Sequence, residues 1–366
     1  MHMNISLALL NNTNVTLVDD GKSQGNQSKL ASAMHPDMVL TEAFKLFFTV
    51  ALLAIGVIGL FGNSFVLISF AFVRKLKTSV NMFLVSLSLA EFIICVSVLP
   101  LELQWHVKGS FIHSLFVCEL MYTLHFALLS CSAISLMAVS VFRFYTIAYP
   151  FLAKRIKRKL ILTLIGLIWI YSTFSGLLPV FGWRPKGSEV AKGKCLYKAE
   201  LEYLLFIVVA NYIFPGIIMT IFYAKIFCIA HRHAVKIAKN HICSAEEQKN
   251  RRKQKILLKG AITLAKIVGT FMLCWAPYII DLILFYSRIQ PPRMVHLSFY
   301  VLAYSNIAVN PFLYAGLCED FRSVFWRCVR ETRHFLLHKK IPIIARGTST
   351  SFFQSNKTPS FTATQT

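Results

Sequence analysis

Residues Cys118–Pro150 read CELMYTLHFALLSCSAISLMAVSVFRFYTIAYP, an almost continuous apolar run with Arg143 near its end. A helix rises 1.5 Å per residue, so Cys118 and Arg143 would lie about 37 Å apart along a helix axis. The hydrocarbon core of a bilayer is about 30 Å thick. The run therefore predicts a membrane-spanning helix with the cysteine at one membrane face and the arginine at the other.

Composition places the whole chain in the membrane class. Charged residues make up 15% of the 366 positions and hydrophobic residues 56%, whereas soluble domains carry about 25% charged residues. The net charge of +23 comes from short basic clusters between apolar runs, which favours anionic lipid headgroups over nucleic acid as partners. The nine cysteines show no CxxC pair, so we expect no zinc site.

Seven apolar segments are each long enough to cross a bilayer as a helix. Lipid offers no partners for unpaired backbone groups, so helices are required. The fold class predicted is an all-α membrane protein, a bundle of seven transmembrane helices. The segments are Phe47–Val73, Thr78–Leu101, Cys118–Pro150, Leu160–Val180, Tyr203–Phe227, Leu257–Phe285 and Met294–Leu317.

The loops between these segments indicate the orientation. Basic clusters fall in the first, third and fifth loops, which the positive-inside rule places in the cytoplasm. The polar N-terminal tail lacks a signal-peptide pattern and carries four N-glycosylation sequons, which favour an extracellular location. Their asparagines are Asn4, Asn11, Asn14 and Asn26.

The predicted organisation has four parts. Residues 1–44 form an extracellular glycosylated tail, 45–318 the membrane bundle, 319–334 an interfacial eighth helix and 335–366 a cytoplasmic Ser/Thr-rich tail. In the eighth helix, Cys328 is either a palmitoylation site or a plain buried thiol. The composition of the tail predicts a kinase substrate.

Several short motifs follow in order along the chain, each at the matching depth of its helix. Together they resemble those of the rhodopsin-like (class A) G-protein-coupled receptors, over about Leu46–Cys328. The spellings are closest to the branch of amine, melatonin, adenosine and opsin receptors. The motifs are Gly62-Asn63, LSLAE ending at Glu91, FRFYTIAYP over 142–150, Trp169, Pro215 with Tyr223, FMLCWAPY over 271–278 and NPFLY over 310–314.

The resemblance implies a receptor at the plasma membrane, not an enzyme, that crosses the bilayer several times. It would bind an extracellular, small ligand and activate a heterotrimeric G protein, with receptor kinase and arrestin as further partners. A disulfide between Cys118 and Cys195 would pin the fourth loop over the bundle. The activation residues implied are Arg143, Pro150, Phe151, Pro215, Tyr223, Phe271, Pro277, Pro311 and Tyr314.

The resemblance also implies which residues face the ligand: Glu102, His125, Phe126, Asn211, Trp275, Tyr278, Asp281, Tyr300 and Tyr304. His125 stands where amine receptors have an aspartate, which argues against ordinary monoamine binding unless Glu102 acts as a displaced counter-ion. Tyr304 stands where opsins have the retinal lysine, so a conventional photopigment is not expected. An aromatic, moderately polar pocket fits a small neutral or weakly charged ligand. Packing is favoured over pH sensing for His125.

Two departures from the family pattern concern charge. Glu91 replaces an aspartate that, with neighbours matching Ser132, Asn306 and Asn310, holds Na+ as an allosteric ion in inactive states. Either Glu91 binds sodium, or it is protonated and hydrogen-bonded to Asn310.

Arg143 is the second departure. It follows Phe142 rather than an acid, and no acid lies in Lys255–Lys259 at the inner end of the sixth segment. Both usual restraints on this arginine are missing, which predicts raised basal signalling.

Two other function classes also have many spanning helices. A transporter or light-driven pump needs a chain of midplane ionisable groups or an internal repeat, but Glu91 is nearly alone at depth. An intramembrane enzyme needs a cluster of catalytic side chains, and no such spacing is present in the sequence. The receptor class is favoured over both.

Overall fold

The computed structural model describes residues 42–183, 189–191, 194–196, 200–239, 245–286, 289, 291–317 and 319–338. The four sequons and the tail after residue 338 lie outside this range. The fifth of the main helices, α5, consists of α-helical Leu201–Val208, π-helical Val209–Ile213 and α-helical Phe214–Lys239. The others are α1 (Glu42–Phe72), α2 (Ser79–Lys108), α3 (Leu115–Ala148), α4 (Arg158–Leu177), α6 (Ala245–Tyr286), α7 (Arg293–Leu317) and α8 (Glu319–His338).

The predicted helix through Cys118 and Arg143 is confirmed, and it lies at the centre of the bundle. Helix α3 contacts α2, α4, α5 and α6. In the most apolar window of each helix, 67% of the residues of α2 and α3 are buried, against 22% in α1 and 28% in α4. Helices α1 and α4 therefore present most of their surface to the surroundings of the bundle.

Local sequence signals set the ends of α2. The Thr78 hydroxyl accepts a hydrogen bond from the Asn81 backbone N–H at 3.3 Å and so caps the first turn. Gly109 follows the helix with a φ of 67°, a left-handed conformation that glycine adopts without strain. The helix also contains Pro100, which removes one backbone donor shortly before Glu102.

Two of the motif residues hold helices together. A Cβ added at Gly62 would lie 2.7 Å from Cβ of Pro311, so this glycine permits the close approach of α1 and α7. The Trp169 indole N–H donates to the Ser86 hydroxyl at 3.0 Å and joins α4 to α2. Both motif positions therefore have packing roles.

The structure also contains a short antiparallel β-hairpin, which the all-α prediction did not include. It pairs β1 (Glu189–Ala191) with β2 (Lys194–Leu196). Cys195 lies in β2 and forms a disulfide with Cys118 at the outer end of α3, with Cα atoms 5.8 Å apart. The predicted disulfide is confirmed, and it ties the hairpin to the central helix.

Six of the described helices are long and apolar enough to cross a membrane, and α7 is not among them. Helix α7 carries polar side chains along its length, including His296, Asn306 and Asn310, all of which are buried. These polar residues lower the hydropathy of the helix, and the bundle tolerates them because they are buried in its interior and do not face lipid.

The chain divides into two compact units, Met1–Phe325 and Trp326–Thr366. In the first unit, Phe321 is fully buried and the Phe325 ring lies 5.6 Å from the Phe65 ring. In the second, residues 326–338 are helical, and Trp326 and Cys328 are exposed.

Candidate ligand cavity and activation residues

A cavity lies among α2, α3, α5, α6 and α7, and seven of the nine predicted ligand-facing residues line it. Its remaining wall is mainly apolar and includes Leu129, Ile207 and Leu282. The seven are Glu102, His125, Phe126, Asn211, Trp275, Tyr278 and Tyr300. The cavity is thus a narrow aromatic site with few polar groups, the usual character of a small-molecule pocket.

Tyr304 does not line this cavity but lies behind His125. The Tyr304 hydroxyl and Nδ1 of His125 are 2.6 Å apart, and the two ring centroids are 5.6 Å apart. This hydrogen bond joins α7 to α3. It gives His125 the packing role favoured by the sequence.

Asp281 does not line the cavity either, because its carboxylate is bound to Nδ1 of His296. Both side chains are buried, and the pair joins α6 to α7. His296 was not among the residues predicted from the sequence. A histidine in the first turns of the last segment, on the same side of the membrane as Asp281, was an available signal.

Aromatic rings run from the cavity floor across α6 and α7. The centroid distances are 6.2 Å from Phe271 to Trp275, 6.1 Å from Trp275 to Tyr278 and 5.8 Å from Tyr278 to Tyr300. The Tyr300 and Tyr304 rings are 4.6 Å apart. A ligand that contacts Trp275 would therefore contact one member of a continuous series of packed rings on the two helices.

Tyr212 is a second residue that was not predicted from the sequence. It lies in the π-helical segment of α5, and its hydroxyl donates to the Met272 carbonyl of α6 at 2.9 Å. This hydrogen bond joins α5 to α6 near Pro277. The sequence signal for Tyr212 was its position next to Asn211 in a segment rich in aromatic residues.

Of the predicted polar core, Asn310 and Asn306 are joined to Glu91 by hydrogen bonds, whereas Ser132 bonds within its own helix. The Asn310 amide donates to Oε1 of Glu91 and, at 3.0 Å, to Oδ1 of Asn306. The Ser132 hydroxyl donates to the Leu128 carbonyl at 3.0 Å. Several buried oxygens of the described residues have no hydrogen-bond partner, and those of Glu91 and its two asparagine neighbours are Oε2 of Glu91, Oδ1 of Asn63 and Oδ1 of Asn310.

At the inner end of α3, Phe142 is buried and its ring lies 5.7 Å from that of Phe83 on α2. The next residue, Arg143, and Tyr223 of α5 are both partly buried. Phe144 lies 5.0 Å from Phe222, so aromatic contacts flank the arginine on the chain. An apolar cluster thus occupies the position where the family usually has an acid.

The other activation residues are spread along the bundle. Pro215 and Pro311 are buried, and Pro277 and Pro311 lie inside helices. After α3, Pro150 begins a short helical turn, Pro150–Ala153, in which the Phe151 side chain is 81% exposed. Tyr314 lies in α7, but its side chain is outside the described part of the structure.

Comparison with known proteins identifies the family. The family model for the 7 transmembrane receptor (rhodopsin family) matches residues 62–314. The chain belongs to this family, as its motifs indicated. It is a G-protein-coupled receptor, a multi-pass protein of the plasma membrane and not an enzyme.

Three relatives are receptors named for amines or adrenergic ligands. The human 5-hydroxytryptamine receptor 4 is 30% identical over 304 residues, 76% of each chain. The human histamine H2 receptor is 30% identical over 295 residues, 77% of this chain and 79% of the relative. The rabbit alpha-1A adrenergic receptor is 24% identical over 388 residues, 91% of this chain and 83% of the relative. The receptor thus belongs to the amine branch, and the transporter and pump classes are not favoured.

Proposed function

We propose that a small ligand in the outer cavity controls the position of α6, and that this receptor also signals without ligand. One observation carries the proposal: the cavity is lined by Phe271, Trp275 and Tyr278, which all lie on α6 close to Pro277. A ligand that fits one arrangement of these rings better than another shifts the equilibrium between the two. Because proline weakens the helix at this point, its inner half is able to move.

The G-protein site lies at the other end of the same helices. Arg143, Tyr223 and Tyr314 are its contact residues by family position. The exposure of Phe151 supports a further apolar contact, because a phenylalanine 81% exposed beyond the inner end of α3 is free to enter a partner's pocket. Activation then consists of opening a docking site between α3, α5, α6 and α7.

Raised basal output follows from Phe142. A phenylalanine has no charge with which to hold Arg143, so the inactive arrangement lacks that electrostatic restraint. Phe142 packs instead on Phe83. Loss of a restraint specific to the inactive state shifts the population toward the active one.

The test is ligand-free G-protein signalling at equal surface expression. Wild type is expected to signal above mock-transfected cells, Arg143→Ala to lose the signal and Phe142→Asp to lower it, because an aspartate can pair with the neighbouring arginine. In Phe142→Asn, the new side chain has nearly the same shape as in Phe142→Asp but carries no charge. Comparing the two variants separates the effect of the charge from the effect of lost phenylalanine packing.

Lower ligand-free signalling in Phe142→Asp but not in Phe142→Asn supports the proposal that wild type lacks an electrostatic restraint on Arg143. Equal quieting by Phe142→Asn, or a wild type no more active than mock cells, contradicts raised basal output.

We also propose that receptor kinase and arrestin act on the Ser/Thr-rich tail. The support is the sequence after Gly347, which combines many hydroxyl side chains with few acids. Phosphate incorporation and arrestin recruitment in a chain truncated at Gly347, against the full chain, test this. Recruitment that survives the truncation contradicts it.

Membrane lipid is a further partner, through palmitoylation of Cys328. The thiol is exposed on a helix whose neighbouring side chains include Trp326 and several arginines, the composition of an interfacial helix. Cys228 is also free and exposed, so Cys228→Ser is a matched control. Thioester-linked acylation should be lost in Cys328→Ser and kept in Cys228→Ser; the reverse pattern contradicts the assignment.

A further inference from the structure

We propose that the cavity binds the ammonium group of a small aromatic amine through Glu102 on α2. The inference rests on the proposed function and names the ligand class of that cavity. It moves the anionic partner of the ligand from α3, where this chain has His125, to the outer part of α2.

Glu102 is the buried acid that the cavity offers. It is the one acid among the described residues that line the cavity, and its side chain is 3% exposed. Its Oε2 has no hydrogen-bond partner among the described residues. The Nε2 atom of His106, one turn along α2, lies 3.8 Å from this oxygen, which is longer than a hydrogen bond.

A buried carboxylate oxygen without a partner is costly, and a cation removes that cost. Transfer of a charged or polar group from water to an apolar site is unfavourable unless the group is paired and hydrogen-bonded. An ammonium group supplies both charge and N–H donors. A neutral apolar ligand would bury Glu102 further and leave its oxygen unpaired.

The aromatic residues around Glu102 also favour an ammonium group, in addition to the carboxylate itself. Tyr300 interacts with the Glu102 carboxylate through its hydroxyl, and Tyr278 and Tyr300 both line the cavity. The two rings lie 5.8 Å apart in an edge-to-face arrangement. Aromatic faces attract ammonium groups, so the carboxylate and the rings favour the same ligand charge.

Helix α3 has no competing anion in the cavity. His125 lies in the cavity wall, but its Nδ1 is held by the Tyr304 hydroxyl at 2.6 Å, and an imidazole carries no negative charge in proteins at neutral pH. An amine that entered this cavity would therefore find its counter-ion on α2. The remainder of the ligand would contact Trp275 and Phe126.

The experiment uses the purified full-length receptor in nanodiscs. The probes are phenethylamine, tryptamine and histamine, with phenethyl alcohol and tryptophol as uncharged counterparts of the first two. Thermal melting and Kd are measured for wild type, Glu102→Gln and Glu102→Asp. Glu202→Gln is the matched control, because Glu202 is exposed on α5 and does not line the cavity.

We expect at least one amine to raise the melting temperature of wild type while its alcohol has no effect. Glu102→Gln should weaken this amine by about 30-fold or more, the loss typical of removing one partner of a buried charge pair. Glu102→Asp keeps the charge and should retain most of the affinity. Glu202→Gln should bind like wild type.

Three results would overturn the inference: amine binding unchanged in Glu102→Gln, alcohols that bind as well as amines, or no amine effect on a wild-type receptor that couples to G protein. The last result leaves the proposed function intact. Conversely, amine binding that depends on Glu102 in a receptor that never couples supports this site and contradicts the proposed function.

Discussion

Tyr304 and His125 show how one hydrogen bond connects two helices at the cavity wall. The bond is 2.6 Å long and joins α7 to α3 through two residues that are 179 positions apart in the chain. Each residue uses the other as its polar partner in a mainly apolar region. Removing either one leaves a polar group there without that partner, and such groups are expensive.

We expect Tyr304→Phe and His125→Phe each to destabilise the receptor, and the double variant to cost less than the sum. Loss of one partner costs about 1–3 kcal/mol, whereas replacement of both by apolar groups is close to neutral. The melting temperatures of the four proteins, compared in a double-mutant cycle, give the coupling. Strict additivity would show that the two side chains do not interact.

Individual motif residues were predictable from sequence, whereas most of their partners were not. Glu91 and Asn310 are recognisable because each lies in a characteristic motif. Tyr212 and Met272, or Asp281 and His296, meet only because neighbouring helices have particular rotations about their axes. A hydropathy pattern indicates which segments span the membrane and which side of a helix faces lipid. It does not give the rotation of a helix to within a hydrogen-bond length.

At the scale of elements, the packing of α4 on α3 depends on a glycine. A Cβ added at Gly176 would lie 2.6 Å from the Thr123 carbonyl oxygen and 2.8 Å from Cβ of Ala127. Both are atoms of the neighbouring helix that cannot turn away. A side chain at this position must therefore push the two helices apart.

We expect Gly176→Ala to lower the melting temperature and the surface expression of the receptor. Overpacking of this kind costs about 1–3 kcal/mol. Gly166→Ala is the matched control, because Gly166 lies on the same helix with nothing within 4 Å of its added Cβ. That variant should be neutral or stabilising, since alanine favours helix over glycine by about 1 kcal/mol. Equal melting temperatures for the two variants would contradict the close contact.

The sequence predicted all seven spanning helices but not their full lengths. Helix α6 begins at Ala245, well before the predicted start at Leu257, and α2 continues to Lys108, past the predicted end at Leu101. Hydropathy reports where lipid surrounds a helix, whereas backbone hydrogen bonds continue into water. The π-helical segment Val209–Ile213 and the hairpin of Cys195 were also not predicted, because short irregular elements depend on tertiary contacts.

At the scale of the whole molecule, α3 passes through every functional region. Cys118 anchors the hairpin at its outer end, and His125 and Phe126 line the cavity. Farther along, α3 carries Ser132, the residue predicted for the polar core, and Phe142 precedes the arginine at the inner end. A change in the packing of α3 against α6 or α7 therefore affects both the ligand site and the G-protein site.

The polar core lies between those two sites, and it contains oxygens of the type that a sodium ion binds. Hard cations prefer oxygen ligands, and Oε2 of Glu91, Oδ1 of Asn63 and Oδ1 of Asn310 are buried without hydrogen-bond partners among the described residues. Oδ1 of Asn306 is less suited, because it accepts from Asn310. We propose that Glu91 is ionised with sodium bound and that sodium favours the inactive arrangement.

We expect replacement of choline by sodium at constant ionic strength to raise the melting temperature and lower ligand-free signalling. At ten times its Kd, an ion that binds the folded state alone adds about 1.4 kcal/mol of stability. Glu91→Gln removes the charged ligand and should abolish both effects, whereas the exposed Glu202→Gln should keep them. If wild type melts at the same temperature in sodium and choline, the ion does not bind, and a protonated Glu91 that accepts the Asn310 hydrogen bond explains the core instead.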